Sequence, residues 1–477
     1  MVMERLQWKN ITSEERIPKN NSKQNLSGLR SEIESDYHRI IRSASFRRLQ
    51  DKTQVFPLDK SDFVRTRLTH SLEVASIAKL IGKQVCAKIK EKRLEPEELL
   101  PDPLNVMEVL NCSCLLHDIG NPPFGHFGET AIRDWFIQNL DKLTLHGKVL
   151  KDYLTPQQYG DLINYEGNAQ ALRIVTKLHR LVGNNGMHLT SSVMDTIIKY
   201  PTSSIKKMEE DKLPKKERNL LRKKIGYFSS EQAIYDEIKK NTGCVDCRNP
   251  LAFILEAADD LAYTFADLED GFNKSLYSYE DLLQVIKKAK DDKGVMDLEK
   301  YYQDSLNQVE EREKGFDPHK QAVFNWLTMK QLYCISQVSD AFIDYYEDIM
   351  QGVFCEELIS VSTQSSLIHN LKKFSFDRIY NVSPILKLEL MGNEIITFLL
   401  DRFMNALIVY EAAPMSEIQE KYIDLLSRNY LDNYHRTTKN MDDVGERLYH
   451  RLLLGCDFIA GMTDSYAKGL YQELKGI

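Results

Sequence analysis

No window of this 477-residue chain holds about 18 uninterrupted apolar residues, which argues against a transmembrane helix. Met1 to Asn25 are polar and lack an apolar stretch, so they are not read as a secretory signal. Proline and glycine are scarce, at 14 and 22, and no internal repeat or low-complexity tail interrupts a composition typical of a soluble globular protein. The eight cysteines are scattered, and a chain of this size has no need of disulfides; reduced thiols in a cytoplasmic protein are expected. Cys244-Val-Asp-Cys247 is the one CxxC, but no second pair at metal-ligand spacing accompanies it, so half a zinc site is all it offers. An excess of positive charge is also missing: the net charge of −7 argues against a constitutive nucleic-acid coat. Neither GxxxxGK[ST] nor a Rossmann glycine fingerprint occurs, so any phosphate must be held without a glycine-rich cradle.

What the chain has in abundance is helical periodicity. Apolar residues recur at helical spacing over 36–49, 68–89, 105–119, 126–140, 165–181 and 191–200. Asn249-Pro250 supplies an N-cap and a proline for the first turn of a helix running to about Asp270. Further helices are expected over 279–290, 297–312, 318–350, 383–410, 415–428 and 442–473. Strand signals are rare; Thr53–Leu58 and Phe63–Arg65 form the one candidate hairpin. The fold expected is an all-α bundle with a small β-hairpin. It divides into an N-terminal extension (1–35), a core (36–275) with a charged, exposed excursion at 206–226, and a helical region (276–477) that completes the pocket and makes subunit contacts. Eight lysines and arginines crowd the span from His38 to His70 against three acids, a local patch suited to a small polyanion.

Four ionisable residues sit where core residues belong. His70 shares a helical stripe with Val74, Ile77 and Ile81, and His117 shares one with Met107, Leu110 and Cys114. Asp259 shares a stripe with Ala252, Leu255 and Ala262, and Asp118 directly follows His117. An unpaired buried carboxylate is costly, and one divalent cation would satisfy all four side chains at once. The mixed nitrogen and oxygen set suits Mn²⁺, Fe²⁺, Co²⁺, Ni²⁺ or Zn²⁺, and Mg²⁺ with bound waters. His126 and Glu129 are three apart and share a helix face, where the carboxylate can fix the imidazole tautomer. Gly125 and Gly128 are expected to leave room for a ligand. Arg67 lies one turn before His70, where a guanidinium can clamp phosphate.

These segments resemble the bacterial dGTP triphosphohydrolases of the HD superfamily. The resemblance rests on Arg-Leu-Thr-His70-Ser and on the run from His117-Asp118-Ile-Gly-Asn-Pro-Pro-Phe-Gly-His126 to Glu129. It also rests on Glu166-Gly-Asn168, on Glu256-Ala-Ala-Asp259-Asp260, on the segment from Arg47-Arg48 to Gln54, and on Gly461-Met-Thr-Asp464. It covers most of the chain and implies that His70, His117, Asp118 and Asp259 bind the metal, Mg²⁺ or Mn²⁺ first among the ions suited. It implies that His126 and Glu129 do the acid–base work of an attack on the α-phosphorus, releasing deoxynucleoside and tripolyphosphate. Lys199 and Tyr200 would contact phosphate. Tyr263 would lie against the deoxyribose, and Asp267 and Gln54 would bond its 3′-hydroxyl, with Asn168 a further substrate contact. A homo-oligomer, commonly a hexamer, and a single-stranded DNA effector are also implied. Other readings are an HD-type nucleotidase or phosphodiesterase, and a silent regulatory protein that binds dNTP or single-stranded DNA. Intact ligands and an intact His126/Glu129 pair speak against the silent protein.

Overall fold

Side-chain caps set where the principal helices begin. Ser31 opens α1 (Glu32–Arg42), Thr66 opens α2 (Arg67–Glu91) and Asp102 opens α3 (Pro103–Leu116), each turning an oxygen onto a first-turn amide. α4 (His126–Asn139) has no such cap and starts at Gly125. Asn249 and Pro250 open α5 (Pro250–Asn273) in the expected way. Later in the chain come α6 (Pro318–Asp344), α7 (Ser365–Ser375), α8 (Ser383–Val409), α9 (Val444–Ala460) and α10 (Asp464–Lys475). The structure, a computed structural model, describes residues 5–17, 31–54, 65–179, 186–307 and 316–477.

The fold is all-α. α2 packs on α3, α5 and α6, and its stripe of Val74, Ile77, Ile81 and Val85 is buried against them. α8 lies across α4 and α9, so the C-terminal region reaches directly onto the helix that begins with His126. Arg65, just before α2, is gripped by three carboxylates. Its Nε lies 2.9 Å from Glu73 of α2, one terminal nitrogen lies 2.7 Å from Glu269 of α5, and the other pairs with Asp270.

Several helices are shorter than periodicity suggested. The 36–49 segment breaks at Ser43, which turns extended and caps a new helix at Phe46. Among the described residues of the 165–181 segment, the α-helix covers Gly167–Arg173 and then widens into a π turn over Ile174–Leu178. The 191–200 helix ends at Thr196, so Lys199 and Tyr200 lie beyond it. The 318–350, 415–428 and 442–473 segments each divide: at Tyr345, after Asp424, and at the Gly461–Thr463 turn where Thr463 caps α10. The expected hairpin near 53–65 falls mostly on residues 55–64, outside the described residues; at its base Thr53 and Thr66 make one antiparallel bridge. The two-stranded sheet that is described lies elsewhere, pairing β1 (Thr144–Leu145) with β2 (Lys148–Val149). Its turn, His146-Gly147, has positive φ at both residues, which suits a tight hairpin. None of the described helices is long and apolar enough to cross a membrane.

Candidate active site and metal centre

Three helices bring the ionisable core residues together. His70 projects from α2, His117 ends α3, and Asp259 projects from α5. His117 Nδ1 donates to the Cys114 carbonyl at 2.7 Å, so Nε2 is the nitrogen turned towards the carboxylates. That Nε2 is buried, has no hydrogen-bond partner, and lies 3.6 Å from both Asp118 Oδ1 and Asp259 Oδ1. His70 Nε2 lies 2.9 Å from the same Asp259 oxygen. Ligand atoms of His70, His117 and Asp118 all fall within 4.8 Å of one another. An orphaned imidazole nitrogen between carboxylates fits a divalent cation. Burial opposes a proton on His117, but Asp118 and Asp259 outweigh it and raise its pKa to about 9. Burial is likewise outweighed at Asp118, where Arg67 and the two histidines hold the carboxyl down to about 2. Asp260 turns away, pairing with Lys372 at 2.7 Å.

The loop from Asp118 to His126 sets the second group. Gly125 adopts φ 58°, and a Cβ there would come within 2.7 Å of the Arg67 guanidinium. A Cβ at Gly128 would meet the Pro123 carbonyl at 2.1 Å. These glycines therefore make room for the protein's own loop and Arg67, where the sequence suggested room for a ligand. Arg67 donates to Asp118 Oδ2 at 2.5 Å. His126 Nδ1 donates to Glu129 Oε2 at 3.0 Å, and Glu129 Oε1 accepts the Gly167 amide at 2.9 Å. The two are unlike in setting: the His126 side chain is 79% exposed, that of Glu129 only 2%. Burial would raise the Glu129 pKa, but the His126 bond, Lys224 and Gly167 hold it down to about 2. Glu129 is thus a fixed anion, and His126 is the exposed partner facing the cavity.

Both groups border one cavity of about 590 Å³, large enough for a nucleotide. Gln54, Arg67, Asn168, Lys199, Tyr200, Tyr263 and Asp267 all line it, while His70 and Glu129 sit behind its wall. Lys199 pairs with Glu256, and Asn168 donates to Glu166 at 2.9 Å. Burial pushes Asp267 up to about 7 even though the Tyr380 hydroxyl donates to it.

Known proteins resemble this chain over most of its length. The HD domain family matches residues 67–181, and the phosphohydrolase-associated domain family matches 361–473. A deoxyguanosinetriphosphate triphosphohydrolase-like protein of Listeria innocua is 41% identical over 455 residues, covering 94% of this chain and 95% of its own. The deoxyguanosinetriphosphate triphosphohydrolase of Cronobacter sakazakii is 33% identical, covering 93% of this chain and 94% of its own. The chain belongs to the deoxyguanosinetriphosphate triphosphohydrolase family.

In this member of the family some pocket residues have no counterpart in the sequence reading. Lys224 belongs to the segment read as an exposed excursion, and 211–218 is indeed exposed. Lys224 nevertheless folds back to line the cavity and donates to Glu166 Oε1 at 2.8 Å. Nothing in a run of lysines marks which one returns. Phe376, Tyr380 and Glu389 form the far wall, from α8 and the π turn after α7. The basic span 39–67 does not form one patch. Arg39 donates to the Met187 carbonyl, Arg48 to the Tyr430 hydroxyl, Arg65 is caged by acids, and Lys52 is buried between carbonyls. Only Arg67 of the described basic residues in this span lines the cavity. Cys244 and Cys247 are buried free thiols.

Proposed function

We propose that this chain hydrolyses deoxynucleoside triphosphates at the α-phosphorus, dGTP in preference, to deoxynucleoside and tripolyphosphate. The observation that carries the reading is the single cavity bordered by the histidine–carboxylate cluster, the His126–Glu129 pair and three cationic side chains. His70, His117, Asp118 and Asp259 would hold the cation, Mg²⁺ or Mn²⁺ first, with Co²⁺, Ni²⁺, Fe²⁺ or Zn²⁺ also suited to the donor set. When bound, such an ion supplies charge that polarises a phosphoryl oxygen.

The chain's own residues do the rest. Arg67, Lys199 and Lys224 neutralise the triphosphate, and Tyr200 and Asn168 border it. Glu129 keeps the proton of His126 on Nδ1, so Nε2 is the atom that exchanges a proton with the nucleophile or the leaving oxygen. Tyr263 lies against the deoxyribose and leaves no space for a 2′-hydroxyl, while Gln54 and Asp267 bond the 3′-hydroxyl. The buried Gln54 Oε1 has no partner among the described residues, which supports a donor supplied by substrate. Glu389 favours guanine: its carboxylate matches the N1–H and N2–H donors that adenine and the pyrimidines do not present together. With all eight cysteines free, the activity belongs in a reducing compartment such as the cytosol. Assembly into a homo-oligomer, a hexamer by resemblance, belongs to the same proposal, and light scattering would read it.

The test is product analysis. The protein is incubated with each dNTP and each rNTP, with Mg²⁺ or Mn²⁺, and products are separated by anion exchange. Tripolyphosphate with deoxyguanosine, and little turnover of rNTP, is expected. Orthophosphate or pyrophosphate would move the cut to another phosphorus and overturn the reading.

A further inference from the structure

The loop that leads to His126 is held from the C-terminal region at three points. Asp464, the buried first residue of α10, accepts the Phe124 amide on Oδ1 at 2.9 Å. Its Oδ2 accepts the amide of Thr53 at 3.0 Å and the hydroxyl at 2.6 Å. Lys52, also buried, donates to the Asn121 carbonyl at 2.5 Å and to the Ala460 carbonyl of α9 at 2.8 Å. The Phe124 ring packs on Gly392 of α8, where a Cβ would lie 2.8 Å from it. Phe124 itself has φ 61°, a conformation that persists in a bulky residue only when its surroundings impose it.

Asp464 has no comparable duty in its own helix, because Thr463 caps α10 through the Tyr466 amide. Its carboxylate is spent on two distant segments. One ends in Gln54, at the sugar end of the cavity; the other ends in His126, at the phosphate end. Three donors on one buried carboxylate make charge-assisted bonds, and an amide in its place has one acceptor oxygen and a nitrogen that faces a donor.

We propose that Asp464, with Lys52 beside it, is a positioning residue that clamps the Gln54 segment and the His126 loop in one register. The C-terminal region thereby sets the distance between the group that reads the 3′-hydroxyl and the group that moves the proton. The proposal rests on the reading of the cavity given above.

Hydrogen–deuterium exchange and steady-state kinetics on Asp464→Asn and Thr53→Val test it. In Asp464→Asn, amides of 50–54 and of 121–127 are expected to exchange faster together, by about 10-fold or more, while α2 and α5 keep their rates. kcat/KM for dGTP falls about 10–100-fold, and its preference over 2′,3′-dideoxyguanosine triphosphate shrinks. Faster exchange confined to α10, or to one segment without the other, overturns the clamp, as do unchanged kinetics per folded molecule. Should Asp464→Asn fail to fold, Thr53→Val decides, because Thr53 is only half-buried and the change keeps its volume. Losing the hydroxyl arm must speed exchange in 50–54, and an unaltered rate there overturns the proposal. Wild-type protein inactive on every dNTP, yet showing coupled loosening in the variant, would sink the substrate reading and leave the clamp standing.

Discussion

The two ends of the cavity differ in how far their charges are paired. At the metal end, charges are paired before any ligand arrives: Arg67 with Asp118, His126 with Glu129, Lys199 with Glu256. Asp118 and Glu129 there are held down to about 2 against the pull of burial, while burial prevails at Glu256 and Glu166 beside them. At the end proposed for sugar and base, carboxylates are less compensated. Burial lifts Asp267 to about 7, and Glu389 is raised for the same reason. The first end is set up to handle charge, the second to accept hydrogen bonds from a nearly neutral group. On the proposed function, the difference separates the reaction from the choice of substrate.

Substitutions should respect that separation. The largest effect is expected from His117→Ala, which removes a buried ligand and abolishes both metal binding and turnover. Calorimetric titration with Mn²⁺ reads the first; retention of stoichiometric binding would break the assignment. His126→Ala comes next, with turnover slowed about 10²–10⁴-fold, the range of general acid–base catalysis, and metal binding intact. A variant with wild-type kcat would remove His126 from the chemistry. Glu389→Gln acts at the other end: discrimination of dGTP from dATP should fall about 10-fold or more, with kcat for dATP nearly unchanged. An equal loss on all four dNTPs would make Glu389 part of the common machinery.

The smallest effect is on stability against pH. Asp267 keeps its proton to about 7 when folded, whereas an unfolded aspartate loses it near about 3.9. The folded state therefore binds more protons across that window, and stability falls as pH rises through 7. Asp118 and Glu129, with depressed values, contribute no slope there, since their stabilisation is lost only towards pH 2. The melting temperature should drop between pH 6 and 8 by about 1–2 °C more in wild type than in Asp267→Asn. Equal slopes in the two proteins would mean that Asp267 is not the group that titrates.

The same division explains what could be read from sequence. His70, His117 and Asp259 each stand on an apolar stripe, so helical periodicity alone marks them as misplaced charges. His126 and Glu129 are three residues apart, and their bond is local. The far wall offers no such regularity: Tyr380 meets Asp267 only because the π turn after α7 packs on α5. Lys224 and Glu389 are ordinary charged residues in charged surroundings until tertiary packing selects them. Periodicity runs straight through the breaks at Ser43 and Thr463, where a small polar side chain offers the backbone another hydrogen bond within an apolar pattern. The basic span before His70 misled for a related reason. Sequence proximity put Arg39, Arg48 and Arg65 together, and folding gave each its own partner.

The grip on Arg65 has a consequence for the empty and filled forms of the protein. Glu73 shares α2 with His70, and Glu269 and Asp270 share α5 with Asp259. The guanidinium thus bolts together the two helices that carry the proposed ligands His70 and Asp259. Their spacing is fixed by an organic cation that no chelator removes. Stripping the metal should silence the enzyme and leave its helix content untouched, and adding the ion back should need no refolding.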